Sequence, residues 1–121
     1  MDIHWIGFDA DDTLWVNERL YREARTRFDA LVASYGIDLA VANAGFSLFS
    51  DFFATSPAEF DRVTALNLRG SYFLAQAAAR RMREQGKGGR ILLLSSVCGH
   101  LALHSLAAYS MSKAGLEMLA K

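Results

Sequence analysis

Short, continuous apolar runs alternate along this chain with longer stretches in which apolar residues recur every three or four positions. The apolar runs at residues 2–8, 37–42 and 90–95 have the length and the β-branched or leucine-rich content of buried strands. The periodic stretches at about 17–35, 57–85 and 107–121 each predict an amphipathic helix. The predicted element order is therefore β-α-β-α-β-α.

Strands that are apolar on both faces and alternate with helices are typical of a parallel sheet joined by right-handed crossovers. We therefore predict a single α/β domain over residues 1–121, with a Rossmann-like three-stranded parallel sheet. The second helix has a well-marked start, because Ser56 can cap it, Pro57 fits its first turn and Glu59 can complete a capping box. Gly86 is placed to end it.

Composition and charge narrow the function classes. Apolar residues make up 52% of the 121 residues, and 13 basic residues balance 13 acidic ones. A neutral chain without a basic excess argues against a nucleic-acid binder, and no apolar run approaches the roughly 20 residues of a membrane span. The single cysteine, Cys98, fits a reducing compartment. We expect a cytoplasmic protein that binds neither nucleic acid nor membrane.

Three aspartates follow the first predicted strand, in the segment Asp9-Ala10-Asp11-Asp12-Thr13, and two of them, Asp9 and Asp11, lie two positions apart. At the end of a parallel strand they could serve as nucleophile and proton donor, or hold Mg²⁺ through oxygen ligands. They could equally cap the following helix. Residues 1–35 resemble the haloacid-dehalogenase-like (HAD) phosphohydrolases, a resemblance that implies Asp9 as nucleophile, Asp11 as general acid/base and both as Mg²⁺ ligands. After residue 36 no two acidic residues are adjacent, whereas the resembled family has a late acidic pair.

A second set of polar residues lies in the remaining two thirds of the chain. Tyr109 and Lys113 lie four positions apart and so share one face of the last predicted helix. A lysine ammonium beside a phenol favours the phenolate, which suits the phenol for proton transfer near neutral pH. Ser96 ends the third predicted strand, Asn67 lies inside the long helix, and Asn43-Ala44-Gly45 follows the second strand.

With these motifs in this order, residues 36–121 resemble the short-chain dehydrogenases/reductases (SDR). The resemblance implies Tyr109 as catalytic acid/base, with Lys113 lowering the pKa of its phenol and binding the nicotinamide ribose. It implies that Ser96 holds the substrate oxygen and that Asn67 supports a proton-relay water. Asn43, Ala44 and Gly45 would border an NAD or NADP cofactor.

The glycines give a different expectation for the pyrophosphate half of such a cofactor. None of the nine glycines forms G-x-G-x-x-G, and Gly86-Lys87-Gly88-Gly89 precedes a strand, so it predicts a turn. We therefore interpret the chain as a chimeric or truncated Rossmann-like protein, with a junction near residues 35–36, that does not turn over by itself. An NAD(P)-dependent carbonyl or alcohol oxidoreductase, and an Mg²⁺-dependent phosphatase using Asp9, are the alternatives.

The predicted sheet also bears on association. A sheet order of 1-2-3 would place all helices on one face and leave apolar side chains bare on the other, whereas an order of 2-1-3 would cover both. For order 1-2-3 we expect self-association through the bare sheet face or the helices. The histidines at 4, 100 and 104 and Cys98 lack the spacing of metal ligands, and we interpret them as structural or surface residues.

Overall fold

The structure is a computed structural model that describes Thr26, Ala30 and residues 35–121. The first predicted strand and nearly all of the first predicted helix lie outside the described residues. Residues 35–121 form, in order, two strands and three α-helices: β1 (Leu39–Ala42), α1 (Pro57–Thr64), α2 (Ser71–Glu84), β2 (Arg90–Leu93) and α3 (Ala107–Leu119). A π-helical segment, Ala65–Gly70, joins α1 to α2, and a 3₁₀ turn, Val97–Gly99, precedes α3.

The two strands form the parallel sheet that the apolar runs predicted. Leu39 pairs with Arg90 and Ala42 with Leu93, and the backbone N–H of Leu94 donates one further hydrogen bond to the carbonyl of Ala42 at 3.1 Å. The fold is thus Rossmann-like α/β. β1 and β2 are the second and third predicted strands, and they pair directly. The order 2-1-3, which needs another strand between these two, is therefore excluded.

The long helix starts as predicted but is not one regular α-helix. Ser56 Oγ accepts a hydrogen bond from the N–H of Glu59, whose carboxylate accepts one from the N–H of Ser56 at 2.8 Å, so the capping box is confirmed. Between α1 and α2 the backbone widens into the π-helical segment, where we predicted regular helix. This segment contains Asn67, and the departure has a physical reason, because side-chain bonds of Asn67 stabilise the widened turn.

The core lies on one side of the sheet. Helix α2 packs against both strands, and α3 packs against α1 and the π-helical segment. The buried apolar side chains are Ala42, Val63, Leu66, Ala78, Met82, Cys98, Leu106 and Leu116. Gly115 allows α3 close approach, since a Cβ there would lie 2.8 Å from Leu68 Cδ1.

The other side of the sheet carries apolar side chains that are partly exposed, as far as residues 35–121 show. Leu39, Val41, Leu92 and Leu94 are 38–50% exposed. In the register of the two strands Val41 stands beside Leu92, so these side chains form one face. In the part of the chain that the structure describes, no helix is both long and apolar enough to cross a membrane.

Candidate functional site

The side-chain amide of Asn67 is completely buried and makes three hydrogen bonds. Its Nδ2 donates to the carbonyl of Phe46 at 2.9 Å and to Ser112 Oγ at 3.1 Å, while its Oδ1 accepts from the N–H of Phe46 at 3.0 Å. Ser112 Oγ in turn donates to the carbonyl of Tyr109 at 2.7 Å. One amide thus joins the loop after β1, the π-helical segment and the first turns of α3.

Lys113 lies beside this amide network and is also buried, at 5% exposure. Its Nζ donates to the carbonyl of Leu94, at the end of β2, at 2.8 Å. The ammonium lies 5.7 Å from the centroid of the Tyr109 ring, as the shared helix face predicted. Burial lowers the pKa of Lys113 from its usual value, since desolvation disfavours the charged amine.

The segment after β1 contributes Gly45 to the same place. A Cβ on Gly45 would lie 3.0 Å from Asn67 Oδ1 and 3.4 Å from Lys113 Nζ, so the backbone runs close to both side chains. Asn43 is exposed and Ala44 is half-buried. The structure therefore brings Gly45, Asn67 and Lys113 together, whereas the side chain of Asn43 faces outward.

Ser96 lies at the end of β2 and caps the 3₁₀ turn that follows it. Its Oγ accepts a hydrogen bond from the N–H of Cys98 at 3.2 Å. Between these described residues no hydrogen bond joins Ser96 to the phenol of Tyr109. Catalytic hydrogen bonds often tighten only when substrate is bound, so this geometry leaves both predicted roles open.

Sequence reasoning missed several residues that hold this site together. Ser112 was not singled out, although it stands directly before Lys113 and bonds to Asn67. Glu117 was missed as well, and its carboxylate accepts a hydrogen bond from Ser95 Oγ at 2.6 Å. The helical spacing contained this signal, because Tyr109, Lys113 and Glu117 recur every four residues on one face of α3.

The acidic pair of the first segment lies outside the described residues. The nucleophile and Mg²⁺ roles of Asp9 and Asp11 therefore stay predictions. Within residues 35–121 and at Thr26 and Ala30, no three His, Cys, Asp or Glu side chains gather as a metal site could. Cys98 is buried as a free thiol, and His100 faces Glu117, with 3.2 Å between Nδ1 and Oε2.

Comparison with known proteins adds to this geometry. The sequence model of the enoyl-(acyl carrier protein) reductase family matches residues 19–121, a span that begins inside the HAD-like segment predicted for residues 1–35. L-rhamnose 1-dehydrogenase (NAD(P)(+)) of Azotobacter vinelandii is 40% identical over 114 residues, which cover 94% of this chain and 42% of that protein.

Two solved structures show the same fold. A short-chain type dehydrogenase/reductase from Mycobacterium marinum aligns with a TM-score of 0.75 and 35% identity over 81% of this chain and 40% of that one. A gluconate 5-dehydrogenase from Burkholderia cenocepacia, in complex with NADP and tartrate, aligns with a TM-score of 0.73 and 32% identity over 88% of this chain.

This chain spans about two fifths of the length of each of these relatives. Within that span the family match includes β1, the amide of Asn67 in the π-helical segment, and the Tyr109–Lys113 face of α3. The chain belongs to the short-chain dehydrogenases/reductases.

Proposed function

We propose that these residues form the catalytic segment of an NAD(P)-dependent oxidoreductase that interconverts a carbonyl compound and an alcohol. One observation carries the proposal. The completely buried amide of Asn67 ties the loop at Gly45 to the turn of α3 that presents Tyr109 and Lys113. A buried polar network is costly unless every member is bonded, so such a network specifies one arrangement of the groups around it.

In this proposal a bound NAD(P)H would supply hydride to the carbonyl carbon. Tyr109 then donates its phenolic proton to the carbonyl oxygen, which becomes the alcohol hydroxyl, and the reverse reaction returns that proton. The ammonium of Lys113 stabilises the phenolate left behind, because opposite charges attract. The hydroxyl of Ser96 donates to the substrate oxygen and holds it near Tyr109.

The residues present fit the ribose end of such a cofactor. Lys113 has three N–H groups, and one of them donates to the carbonyl of Leu94. Others remain for ribose hydroxyls, and the absence of a Cβ at Gly45 keeps the backbone close to that ammonium. The pyrophosphate end has no such fit within these 121 residues, because the nine glycines do not form G-x-G-x-x-G. We therefore propose weak cofactor binding and no turnover by this chain alone.

Fluorescence titration with NADH and NADPH tests the proposal. We expect saturable binding in the millimolar range that Lys113→Met abolishes and that Lys87→Met, the matched change at an exposed lysine, leaves intact. No binding of either cofactor at millimolar concentration would end the proposal.

A second candidate function depends on the motif Asp9-x-Asp11-x-Thr13 alone. If residues 1–35 are a HAD-like unit and the chain is a chimera, Asp9 attacks a phosphoryl group in the presence of Mg²⁺. Hydrolysis of p-nitrophenyl phosphate by the wild type and by Asp9→Asn discriminates, and equal rates for the two proteins would exclude this function.

We also propose that the chain self-associates through the bare sheet face defined by Leu39, Val41, Leu92 and Leu94. These four apolar side chains are 38–50% exposed and adjacent, and contiguous exposed apolar surface usually marks an interface. Helix residues such as Tyr72, Met111 and Met118 are exposed too and provide the alternative contact surface.

A further inference from the structure

The carboxylate of Glu117 joins three separate segments at the end of β2. Its Oε1 accepts a hydrogen bond from Ser95 Oγ at 2.6 Å, and its Oε2 lies 3.2 Å from His100 Nδ1. The Glu117 side chain is 24% exposed, whereas that of His100 is 72% exposed. The contact with His100 is thus a surface pair of small worth, and the bond to Ser95 is the stronger of the two.

Ser95 Oγ has a second acceptor within reach, the carbonyl of Lys113 at 3.2 Å. A hydroxyl has only one proton to donate. The shorter hydrogen bond, to the carboxylate, is therefore the main one, and the bond to the carbonyl is the weaker. The carboxylate and the carbonyl belong to α3 one helical turn apart. Ser95 therefore fixes where the end of β2 meets α3.

The backbone of Gly99 lies close to the carboxylate of Glu117 and to Ser95 Oγ. A Cβ on Gly99 would overlap Glu117 Oε1 and come within 2.9 Å of Ser95 Oγ. The backbone of the 3₁₀ turn is therefore in direct contact with the Ser95–Glu117 hydrogen bond. A side chain at this position would force the carboxylate away from Ser95.

Three consecutive residues at the end of β2 make contacts that bear on the proposed reaction. The carbonyl of Leu94 accepts from Lys113 Nζ, Ser95 Oγ donates to Glu117, and Ser96 Oγ caps the turn that follows. A shift of Ser95 moves both of its neighbours, because the peptide planes are rigid. It would displace the acceptor of Lys113 and the hydroxyl of Ser96 together.

We propose that Glu117 is a positioning residue, which acts through Ser95 and the turn 97–99 to hold Ser96 in register with Tyr109 and Lys113 on α3. Glu117 itself contacts neither substrate nor cofactor in this proposal. Its effect on catalysis therefore rests on the proposed function of Ser96, Tyr109 and Lys113. Whether the carboxylate of Glu117 fixes the position of the end of β2 against α3 can be tested without measuring enzyme turnover.

The single cysteine provides the first test. Cys98 lies in the 3₁₀ turn that Glu117 contacts and is 7% exposed, so its reaction with a small thiol reagent reports opening of that turn. We expect Glu117→Ala to raise the labelling rate about tenfold, as the loss of one hydrogen bond to a charged group implies. Glu117→Gln keeps an oxygen acceptor for Ser95 and should stay within about twofold of the wild type.

Two further variants keep this test decisive. Glu84→Ala removes an exposed carboxylate of α2 and should leave the rate unchanged. Ser95→Ala removes only the donor and should match Glu117→Ala, which covers the case in which Glu117→Ala does not fold. The increase should persist at low urea concentrations with little dependence on urea, as local opening requires. Rates equal to the wild type in both Glu117→Ala and Ser95→Ala would overturn the proposal.

The ammonium of Lys113 provides a second readout that a merely structural role would not move. The chain has three lysines, at positions 87, 113 and 121, so ¹³C labelling at Cε gives three signals to titrate. If Glu117 holds the register, Glu117→Ala admits water to Lys113 and raises its pKa toward the usual value. If Glu117 acts only as a nearby negative charge, both Glu117→Ala and Glu117→Gln lower that pKa, and the proposal fails.

These outcomes are separable from those of the proposed function. A chain that binds neither NADH nor NADPH overturns the oxidoreductase proposal and leaves the Cys98 and Lys113 measurements unaffected. A chain that binds cofactor while Glu117→Ala changes neither measurement overturns the positioning role alone.

Discussion

The two faces of the β1–β2 sheet carry similar apolar side chains but have different neighbours. On one face α2 packs against the strands, and the core beside it contains Leu116 at 1% exposure. On the other face Leu92 is 50% exposed and Val41 38%. Both faces come from the same continuous apolar runs, so hydrophobicity alone does not distinguish them.

The difference between the two faces is matched by the distribution of buried polar side chains. All the buried polar side chains among the described residues, Asn67, Ser71, Ser112 and Lys113, belong to the helices on the covered side. Burial of such groups is costly without partners, and Asn67, Ser112 and Lys113 have partners on the loop after β1, on α3 and at the end of β2. The covered side of the sheet therefore contains both the core and the candidate site, whereas the bare face carries none of the buried polar side chains of the described residues.

The largest expected effect comes from truncating one leucine of the core on the covered side and, for comparison, one leucine of the bare face. Leu116→Ala leaves a cavity in the core and should lower the free energy of unfolding by about 3 kcal/mol. Leu92→Ala, on the bare face, should lower it by less than about 1 kcal/mol. Urea unfolding of both variants measures this difference. Equal losses would mean that the bare face is as well packed in solution as the covered one.

The next largest effect is expected from replacing the buried amide of Asn67, on the covered side of the sheet. Asn67→Leu keeps the volume but leaves the backbone groups of Phe46 and the hydroxyl of Ser112 without this partner. We expect a loss of roughly 2–3 kcal/mol in unfolding free energy, the cost of buried polar groups left unsatisfied. Asn43→Ala, at an exposed position, should change it by less than about 0.5 kcal/mol. If Asn67→Leu lowers the unfolding free energy as little as Asn43→Ala does, water takes the place of the amide as hydrogen-bond partner.

A sedimentation experiment tests whether the bare face is a contact surface between copies of the chain. We expect the chain to sediment as a dimer or larger assembly, and Leu92→Glu to shift it toward the monomer, since a charge in an apolar contact is costly. Met118→Glu, on the exposed side of α3, tests the alternative surface. A wild-type chain that sediments as a monomer at all concentrations would contradict association through either surface.

The sequence allowed much of this arrangement to be predicted. The strands at 37–42 and 90–95 and the capping box at Ser56 are local signals, and the structure confirms the parallel pairing and the cap. The π-helical segment could not be predicted, because regular helical periodicity runs through Asn67 and the widening depends on partners distant in sequence. The amide bonds to Phe46, 21 residues away, and to Ser112, 45 residues away.

The role of Glu117 was hidden for a similar reason. Its spacing from Lys113 was visible, but its partner Ser95 lies on another element, and a single sequence gives no register between β2 and α3. Asn67, Ser96, Tyr109 and Lys113 could be proposed from the sequence because they form a recognised order of motifs. The residues that contact them were not proposed, because spacing along one helix does not show which side chain of another element a serine or glutamate meets.

The smallest expected effect concerns the charge buried on the covered face. Burial lowers the pKa of Lys113, so the unfolded chain, with a usual lysine pKa of about 10.4, binds more protons than the folded chain between the two values. The cost of keeping this ammonium buried is full below the folded pKa and is relieved as pH rises toward that of the unfolded chain. Wild-type stability should therefore rise with pH relative to Lys113→Met, in which no such relief occurs.

Urea unfolding of both proteins between pH 7 and about 10.5 measures this effect, since other ionisations common to the two proteins cancel in the difference. Lys87→Met, at an exposed lysine, controls for the change in net charge. The hydrogen bond from Lys113 to the carbonyl of Leu94 adds only a constant offset if it forms with either state of the amine. A difference that stays constant or moves against the wild type as pH rises would mean that water reaches Lys113 on the covered face. The contrast between the two faces would then be one of packing alone and not of solvation.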